Sequence, residues 1–324
     1  MTDQPSGLPN KNNIQEDPKS DKIPSWRWLL TALAILIFIF VLSRQDWDTF
    51  LIAIKKLSWQ NILTALAALL FSRFAVAGRW YALLRISEKE VAYTECLKLT
   101  FAGLFASNFL PTSIGGDVVR LIGLIQMGVE AALSTASLIM DRLVGLGGMS
   151  LFLPYGINLV FHPAYQTLRS AYNSQIFSLS FSFIPSIRNL WQKTLEFLKK
   201  IWQSILLWLK HPASLLLSFG FTFIHMACLF FMLWVLLQGL DEPMTFLKIG
   251  AIYSLSYIIT LFPISISGLG IQEMSIAYFF SHLGGISIEA GIAFAILIRI
   301  SFMLTSLPGT IYLQKVIKGK KTIE

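Results

Sequence analysis

The residues that could do chemistry are ionisable side chains placed inside apolar segments. Asp141, Arg142 and Arg299 stand about eleven residues into long apolar runs, near the middle of a hydrocarbon core about 30 Å thick. An arginine at that depth costs about 2.5–3.5 kcal/mol on insertion scales. Its charge must therefore be offset by a carboxylate, by backbone carbonyls or by a lipid phosphate. The available carboxylates are Asp117, Asp141 and Glu273.

These charges support two interpretations. Guanidinium groups bind phosphate through two parallel hydrogen bonds, so the arginines predict a polar cavity that receives an anionic head group. Arg73 and Arg120 are further cations in similar settings. The alternative is a set of internal salt bridges that hold a helix bundle together, and the sequence leaves both interpretations open.

Two proline–glycine breaks resemble each other. Pro111–Gly116 and Pro263–Gly268 share proline, serine, isoleucine and the final glycine in register. An acidic residue follows each break, then a short helix, a turn and a long span that contains an arginine. This order predicts an internal repeat, and broken helices at matching places in two halves indicate a binding site.

Backbone that is not helical is tolerated at membrane depth only where it is buried in protein or lines a wet cavity. We therefore expect the loops Pro111–Asp117 and Pro263–Gly270 to approach each other within the bilayer, related by a pseudo-two-fold axis. The alternative is that each break is an ordinary loop at the interface. The half-helix N-termini after the glycine turns would add positive dipole ends. The candidate substrate-binding residues are Pro111, Ser113, Gly115, Gly116, Asp117, Arg120, Asp141, Arg142, Pro263, Ser265, Gly268, Gly270, Glu273 and Arg299.

Composition defines the class of protein that positions these residues. The 324 residues are 55% hydrophobic and 14% charged, with a mean hydropathy of +0.63. Uninterrupted apolar runs such as Trp28–Leu42 and Ala213–Leu237 predict membrane spans, which excludes a soluble enzyme and a secreted disulfide scaffold. The net charge of +8 is typical of lysine and arginine retained in cytoplasmic loops and does not favour nucleic-acid binding.

The predicted fold is an all-α integral membrane protein with about six to eight spans, two of its helices being broken or re-entrant at a Pro/Gly interruption within an internal repeat. The first membrane half contains the break at 111–117 and the second contains the break at 263–270. The predicted organisation is a disordered polar tail at 1–25, a first membrane half at 26–160, a loop with a basic amphipathic interfacial helix at 161–212, a second membrane half at 213–314 and a basic tail at 315–324.

Little in the sequence predicts catalysis or a cofactor. The two cysteines and four histidines have no metal-ligand spacing, and there is no nucleophile–base pair or ATP-binding loop. We therefore expect no catalytic residue, no metal and no cofactor. His225 is interpreted as a hydrogen-bonded core residue instead of a proton relay. Gly145, Gly147 and Gly148 are interpreted as sites of close helix packing.

A resemblance to a known family adds to this interpretation. The string Asn108–Arg120, the pair Asp141–Arg142 and the segment Pro263–Gly270 with Glu273 are similar to the lysylphosphatidylglycerol synthase transmembrane-region family, also called the flippase-like domain family. The similarity covers about Trp26 to Leu313. It implies a multi-pass protein of the cell inner membrane whose relatives move or modify aminoacylated phosphatidylglycerol, polyprenyl-linked sugars or hopanoids. The aminoacyl-transferase domain of bifunctional members has no counterpart here, so we expect only the flippase-like activity.

Three functions remain open at this stage. The leading one is a flippase-like protein that binds and translocates an anionic or polyprenyl-linked lipid head group. The alternatives are a membrane enzyme or accessory protein in lipid or polyprenyl-phosphate glycan modification, and a gradient-coupled solute transporter. The expected partners are membrane lipids and a separate lipid-modifying enzyme, without nucleic acid.

The orientation depends on residues 97–127. A cytoplasmic position for the N-terminus, for 79–98, for 169–210 and for the C-terminal tail satisfies the positive-inside rule if 97–127 crosses once as a broken helix. A re-entrant 97–127 would place the large basic loop outside.

The basic amphipathic helix yields a prediction of its own. A peptide spanning Arg188–Lys210 should bind anionic vesicles more tightly than neutral ones, since Lys193, Lys199 and Lys200 each contribute about 1 kcal/mol near such a surface. Vesicle co-sedimentation at low and high salt measures this. Binding to neutral vesicles with equal affinity would contradict the prediction.

Overall fold

The structure is a computed structural model that describes residues 57–109, 115–160, 208–261 and 270–318, together with 55 and 206. All regular elements in these residues are helical, and they contain no strand. The helices are α1 (Trp59–Leu84), α2 (Tyr93–Phe109), α3 (Gly115–Gln126), α4 (Ala131–Ser150), α5 (Leu153–Val160), α6 (Pro212–Gly239), α7 (Phe246–Leu261), α8 (Ile271–Phe279) with a π-turn (Phe280–Gly284), α9 (Ile288–Ser306) and α10 (Gly309–Lys318).

Local sequence explains where the long helices begin. The side chain of Ser58 accepts a hydrogen bond from the Asn61 backbone at the start of α1, and Ser287 does the same for Ala290 at the start of α9. Serine in this position satisfies a backbone N–H that the helix itself cannot pair. Pro212 starts α6, where its missing N–H has no cost.

The described residues contain three or four helices that could span a membrane, whereas the sequence predicts six to eight spans for the whole chain. In the described residues α1, α6 and α9 are long and apolar enough to cross a membrane, and α4 with α5 makes a fourth if this pair, bent by 52°, is one span. The predicted six to eight spans are therefore not confirmed. The first predicted span, from Trp26 to Leu42, lies outside the described residues.

The centre of the fold is the antiparallel pair α1 and α6. Gly239, at the end of α6, packs against Asn61 near the start of α1. Further along, the Ser72 hydroxyl bonds His225, and the Ser218 hydroxyl donates to the carbonyl of Arg79. Apolar residues of α1 and α6 pack against those of α7, α8 and α9. Together they form the largest buried cluster among the described residues.

Helices α2 and α3 form a helical hairpin, hairpin 1. A Cβ on Gly116 would lie 2.4 Å from the carbonyl oxygen of Gly103, and one on Gly123 would lie 2.2 Å from Leu99. Positions later in α3 thus contact positions earlier in α2, so the two helices are antiparallel. Of the two interpretations of residues 97–127, the structure has the re-entrant one.

Helices α7 and α8 with the π-turn form hairpin 2. The Lys248 ammonium donates to the carbonyl of Gly284 over 2.8 Å, which brings the end of the π-turn beside the first turn of α7. The break between α7 and α8 is therefore at the closed end of this hairpin. Among the described residues, the short helices of both hairpins therefore return to the end of the bundle at which each hairpin starts.

The two hairpins open at opposite ends of the bundle. We call the end that carries the α1–α2 loop, the α3–α4 turn and the start of α6 the basic end, after Arg85, Lys89 and Lys210. The Trp208 indole donates to the carbonyl of Leu83 there, so residues 208–212 lie at the same end as the α1–α2 loop, and not at the other end as a re-entrant 97–127 predicts from the sequence. The opposite end carries the start of α9, where Glu242 accepts hydrogen bonds from Ser287.

Several predicted features lie outside the described residues. They are the polar tail at 1–25, most of the amphipathic helix at 188–210, Pro111–Ile114 and 262–269. The expected approach of the two loops is therefore tested only by the residues that flank them.

Hairpin 1 gives a prediction about packing. Gly116→Ala should lower the stability by about 1–3 kcal/mol, because its Cβ would overlap the Gly103 carbonyl and the Ser107 hydroxyl. The matched control is Gly220→Ala in α6, where a Cβ meets nothing within 4 Å. That change should be neutral or stabilising by up to about 1 kcal/mol. Thermal unfolding in detergent compares the two variants, and equal melting temperatures would contradict the close contact.

A candidate anion-binding cavity

A cavity of about 260 Å³ lies inside the bundle, where hairpin 1 meets α1, α4, α6, α7 and α9. Its wall is unusually rich in charge for the interior of an apolar protein. The charged side chains that line it are Arg73, Arg79, Arg120, Arg142, Asp117 and Asp141.

Asp141 joins two of these arginines. Its Oδ1 accepts from Nε of Arg79 over 2.7 Å, and its Oδ2 accepts from Nη2 of Arg120 over 3.0 Å. The three residues come from α4, α1 and α3, so the carboxylate ties three helices together. Asp141 is only 2% exposed, and a carboxylate at that depth is tolerated because both of its oxygens are paired with cations.

Asp117 continues the network on the other side of Arg120. Its Oδ1 lies 3.6 Å from Nη1 of Arg120, and its Oδ2 accepts from Nε of Arg142 over 2.7 Å and from Nη2 of the same residue. The guanidinium of Arg120 also lies over the ring of Trp80, 4.0 Å from its centroid. Arg79, Asp141, Arg120, Asp117 and Arg142 thus alternate in sign, with one more arginine than aspartate.

Arg73 adds a cation that the network does not neutralise. It is 8% exposed, and its guanidinium lies 4.8 Å from the centroid of the Phe302 ring. Its Nε has no hydrogen-bond partner, and it forms no ion pair with any of the described residues. The cation–π contact offsets only part of the cost of burying the charge. The cavity wall therefore carries four positive and two negative charges, a net charge of +2 with His225 neutral.

Uncharged polar groups complete the wall. The Nδ1 of His225 lies 2.6 Å from the Ser72 hydroxyl, so the expected role of this histidine as a hydrogen-bonded residue agrees with the structure, although its ring also lines the cavity. Tyr253 and Tyr257 reach the cavity from α7, and Ser107 from α2. The cavity is therefore lined by residues on both sides of the first break and by α7 before the second break, but by no residue of α8.

Glu273 and Arg299 form a separate ion pair. The Nε of Arg299 donates to Oε1 of Glu273, and Oε2 of Glu273 accepts from the Gly270 backbone over 2.8 Å. Gly270 precedes α8 with φ of +81°, a conformation that glycine adopts without strain. This pair lies outside the set of residues that line the cavity.

The two ion pairs occupy matching positions. Asp117 and Glu273 are each the third residue of the helix after the break, and their arginines follow 25 and 26 residues later. The same alignment places Ile276 opposite Arg120 and Ile298 opposite Asp141. Both isoleucines are buried in the largest apolar cluster, so the second half has no counterpart of the bridging carboxylate.

The predicted site residues thus fall into three groups. Gly116, Asp117, Arg120, Asp141 and Arg142 line the cavity. Gly115, Gly270, Glu273 and Arg299 are described but do not line it. The residues outside the described ranges are Pro111, Ser113, Pro263, Ser265 and Gly268.

The candidate set derived from sequence omits two arginines of the site. Arg73 and Arg79 both line the cavity from α1, together with Val76 between them. Their spacing places them along one face of a helix. An arginine in the middle of an apolar span was a sufficient signal for Arg73, whereas Arg79 resembles a residue at the end of a span.

The donor set suits an anion better than a metal ion. Among the described ranges no three His, Cys, Asp or Glu side chains group as a metal site requires. Guanidinium groups cannot ligate a cation, and four of them face a single cavity here.

The described residues thus form a helical membrane protein with two inverted hairpins and a cationic cavity beside the tip of one of them. The sequence model of the family "lysylphosphatidylglycerol synthase TM region" matches residues 27–309. The chain belongs to this family of membrane proteins, which is linked to lipid handling. A comparison with curated proteins found no match.

The network predicts unequal effects of two substitutions. Asp141→Asn leaves Arg79 without a counter-charge and leaves Arg120 only its longer contact with Asp117, so it should cost about 3–5 kcal/mol of stability. Arg142→Gln should cost much less, because Arg142 is 58% exposed and Asp117 keeps its contact with Arg120. Membrane abundance and melting temperature measure both effects. Equal losses for the two variants would show that Asp141 does not have the central role.

Proposed function

We propose that this protein is flippase-like: it binds the phosphate of an anionic or polyprenyl-linked lipid in the cavity and moves that head group across the membrane. The observation that carries the proposal is the excess of arginine over carboxylate, above all the unpaired and buried Arg73. A buried cation without a counter-charge is costly. A phosphate in the cavity would supply the missing charge, and guanidinium groups match its geometry.

The surface beside the cavity favours a lipid over a soluble anion. Arg142, at the edge of the cavity, is 58% exposed, and its sequence neighbour Leu143 is 38% exposed. On α3, Val118 and Ile122 next to Asp117 and Arg120 are also more than 40% exposed. A head group could therefore contact the arginines while its acyl or prenyl chains remain along this apolar surface.

The arrangement of the hairpins supports the proposal that a bound head group is moved across the membrane. We propose that the α2–α3–α4 and α7–α8–α9 units are inverted repeats, because they share the helix order, the position of the acid after the break and the distance to its arginine. Repeats of this kind alternate access to a site near the midplane by moving one unit against the other. The Asn108 amide donates to Phe302 and Ser306 of α9, which couples the tip of hairpin 1 to the second unit.

The distribution of basic residues supports an orientation. Arg85, Lys89 and Lys210 lie at the basic end, whereas the described residues of the opposite end include Lys55 and Lys248. We propose that the basic end faces the cytoplasm of an inner-membrane protein, since lysine and arginine are retained on that side. The cationic cavity then opens near the middle of the membrane, and its partners are the surrounding lipids.

Arg73→Gln tests the proposed function. The substitution removes a charge that has no carboxylate partner, so the protein should remain folded and abundant in the membrane. Binding and flipping of anionic lipid should fall by about tenfold or more, because one charge-assisted contact contributes about 1.5–3 kcal/mol.

The assay is lipid translocation in proteoliposomes, with binding followed by native mass spectrometry. Arg85→Gln is the matched control, since Arg85 is exposed at the end of α1 and should leave both readouts unchanged. A well-folded Arg73→Gln variant that binds and flips lipid normally would contradict the proposal.

A further inference from the structure

The charges of the cavity restrict the kind of phosphate that fits. Four guanidinium groups and two carboxylates line it, and His225, Tyr253 and Tyr257 are the other titratable groups in the wall. The Glu273–Arg299 pair is neutral as a unit and does not line the cavity. With the histidine and the tyrosines neutral, the occupant faces two uncompensated positive charges.

Unpaired donors point to the same occupant. Nε of Arg73, Nε of Arg120 and Oγ1 of Thr100 are all buried, and none has a hydrogen-bond partner among the described residues. All three residues line the cavity. Buried donors without partners are rare in folded proteins and call for an acceptor. Three separate helices supply them, so one small group with several acceptor oxygens could serve more than one donor.

A phosphomonoester supplies both the negative charge and the acceptor oxygens that the cavity lacks, whereas a phosphodiester supplies less of each. A terminal phosphate carries about −1.5 to −2 charges at neutral pH and three strong acceptor oxygens. The phosphate of a diester such as phosphatidylglycerol has one charge and two free oxygens. It would leave about one buried positive charge uncompensated in a medium of low dielectric constant.

We infer that the cavity selects lipids whose head group is a terminal phosphomonoester over those with a phosphodiester. The inference rests on the proposed function, because it names the substrate class of the same site. Arg73 is the specificity-determining residue in this account, since removing it lowers the net charge of the wall to +1 while the Arg79–Asp141–Arg120–Asp117–Arg142 network stays intact.

The test compares a lipid that carries a phosphomonoester with one that carries the glycerol diester of the same phosphate. Short-chain phosphatidic acid and phosphatidylglycerol with identical acyl chains are titrated onto the full-length protein in a neutral detergent, and the shift in melting temperature gives each affinity. Inorganic phosphate is the third probe. Phosphatidic acid should bind at least about tenfold more tightly than phosphatidylglycerol, because it carries the second charge. Arg73→Gln should abolish this preference, and Arg85→Gln should preserve it.

The outcomes separate this inference from the proposed function. Equal affinity for the two lipids, with both weakened by Arg73→Gln, would overturn the monoester preference and leave lipid binding in place. If neither lipid binds, both the monoester preference and the proposed function are wrong. Inorganic phosphate that binds as tightly as phosphatidic acid would support the preference for a dianion and assign the site to a soluble phosphate instead of a lipid.

Discussion

The structure depends on the neutralisation of arginines that are buried in a helical bundle of low polarity. Asp141 is the central element, since a single carboxylate from α4 pairs with Arg79 of α1 and Arg120 of α3. Without it the two cations would repel each other at the point where three helices meet. The close approach of Gly103 and Gly116 holds hairpin 1 where Arg120 can reach this carboxylate. The glycine contact thus positions the ion pairs, and the ion pairs in turn hold the three helices together.

Charge compensation differs between the two ion-pair regions: the cavity wall keeps a net charge of +2, whereas Glu273 and Arg299 are neutral as a pair. The carboxylate of Glu273 pairs with Arg299, whose Nη2 remains buried without a hydrogen-bond partner, and the positions that match Arg120 and Asp141 are the buried isoleucines Ile276 and Ile298. The surroundings of this ion pair are thus apolar, whereas the Asp117–Arg142 pair lies beside a cavity that Arg73 of α1 lines without a counter-charge. Among the described residues the charges of the cavity come from α1, hairpin 1 and α4, and hairpin 2 contributes Tyr253 and Tyr257 instead of a second set of charges.

The sequence predicted the helical class and the family, and it named Asp117, Arg142, Glu273 and Arg299 as candidate residues. It could not predict that Arg299 lies away from the cavity, since that depends on which face of α9 packs inward. The sequence also could not distinguish a short crossing from a hairpin, because both have the same hydropathy. Contacts between helices, such as that of Gly123 with Leu99, show that α2 and α3 form a hairpin.

The central claim is that a lipid phosphate contacts the unpaired arginine of the cavity. Solid-state NMR on protein in phosphatidic acid bilayers, with ¹³C in the arginine guanidinium carbons, measures this contact through dipolar coupling to ³¹P. The Arg73 signal, identified as the one missing from Arg73→Gln, should be dephased by phosphorus in the native protein and equally in Arg85→Gln. An Arg73 signal that keeps its full intensity beside ³¹P would contradict the contact.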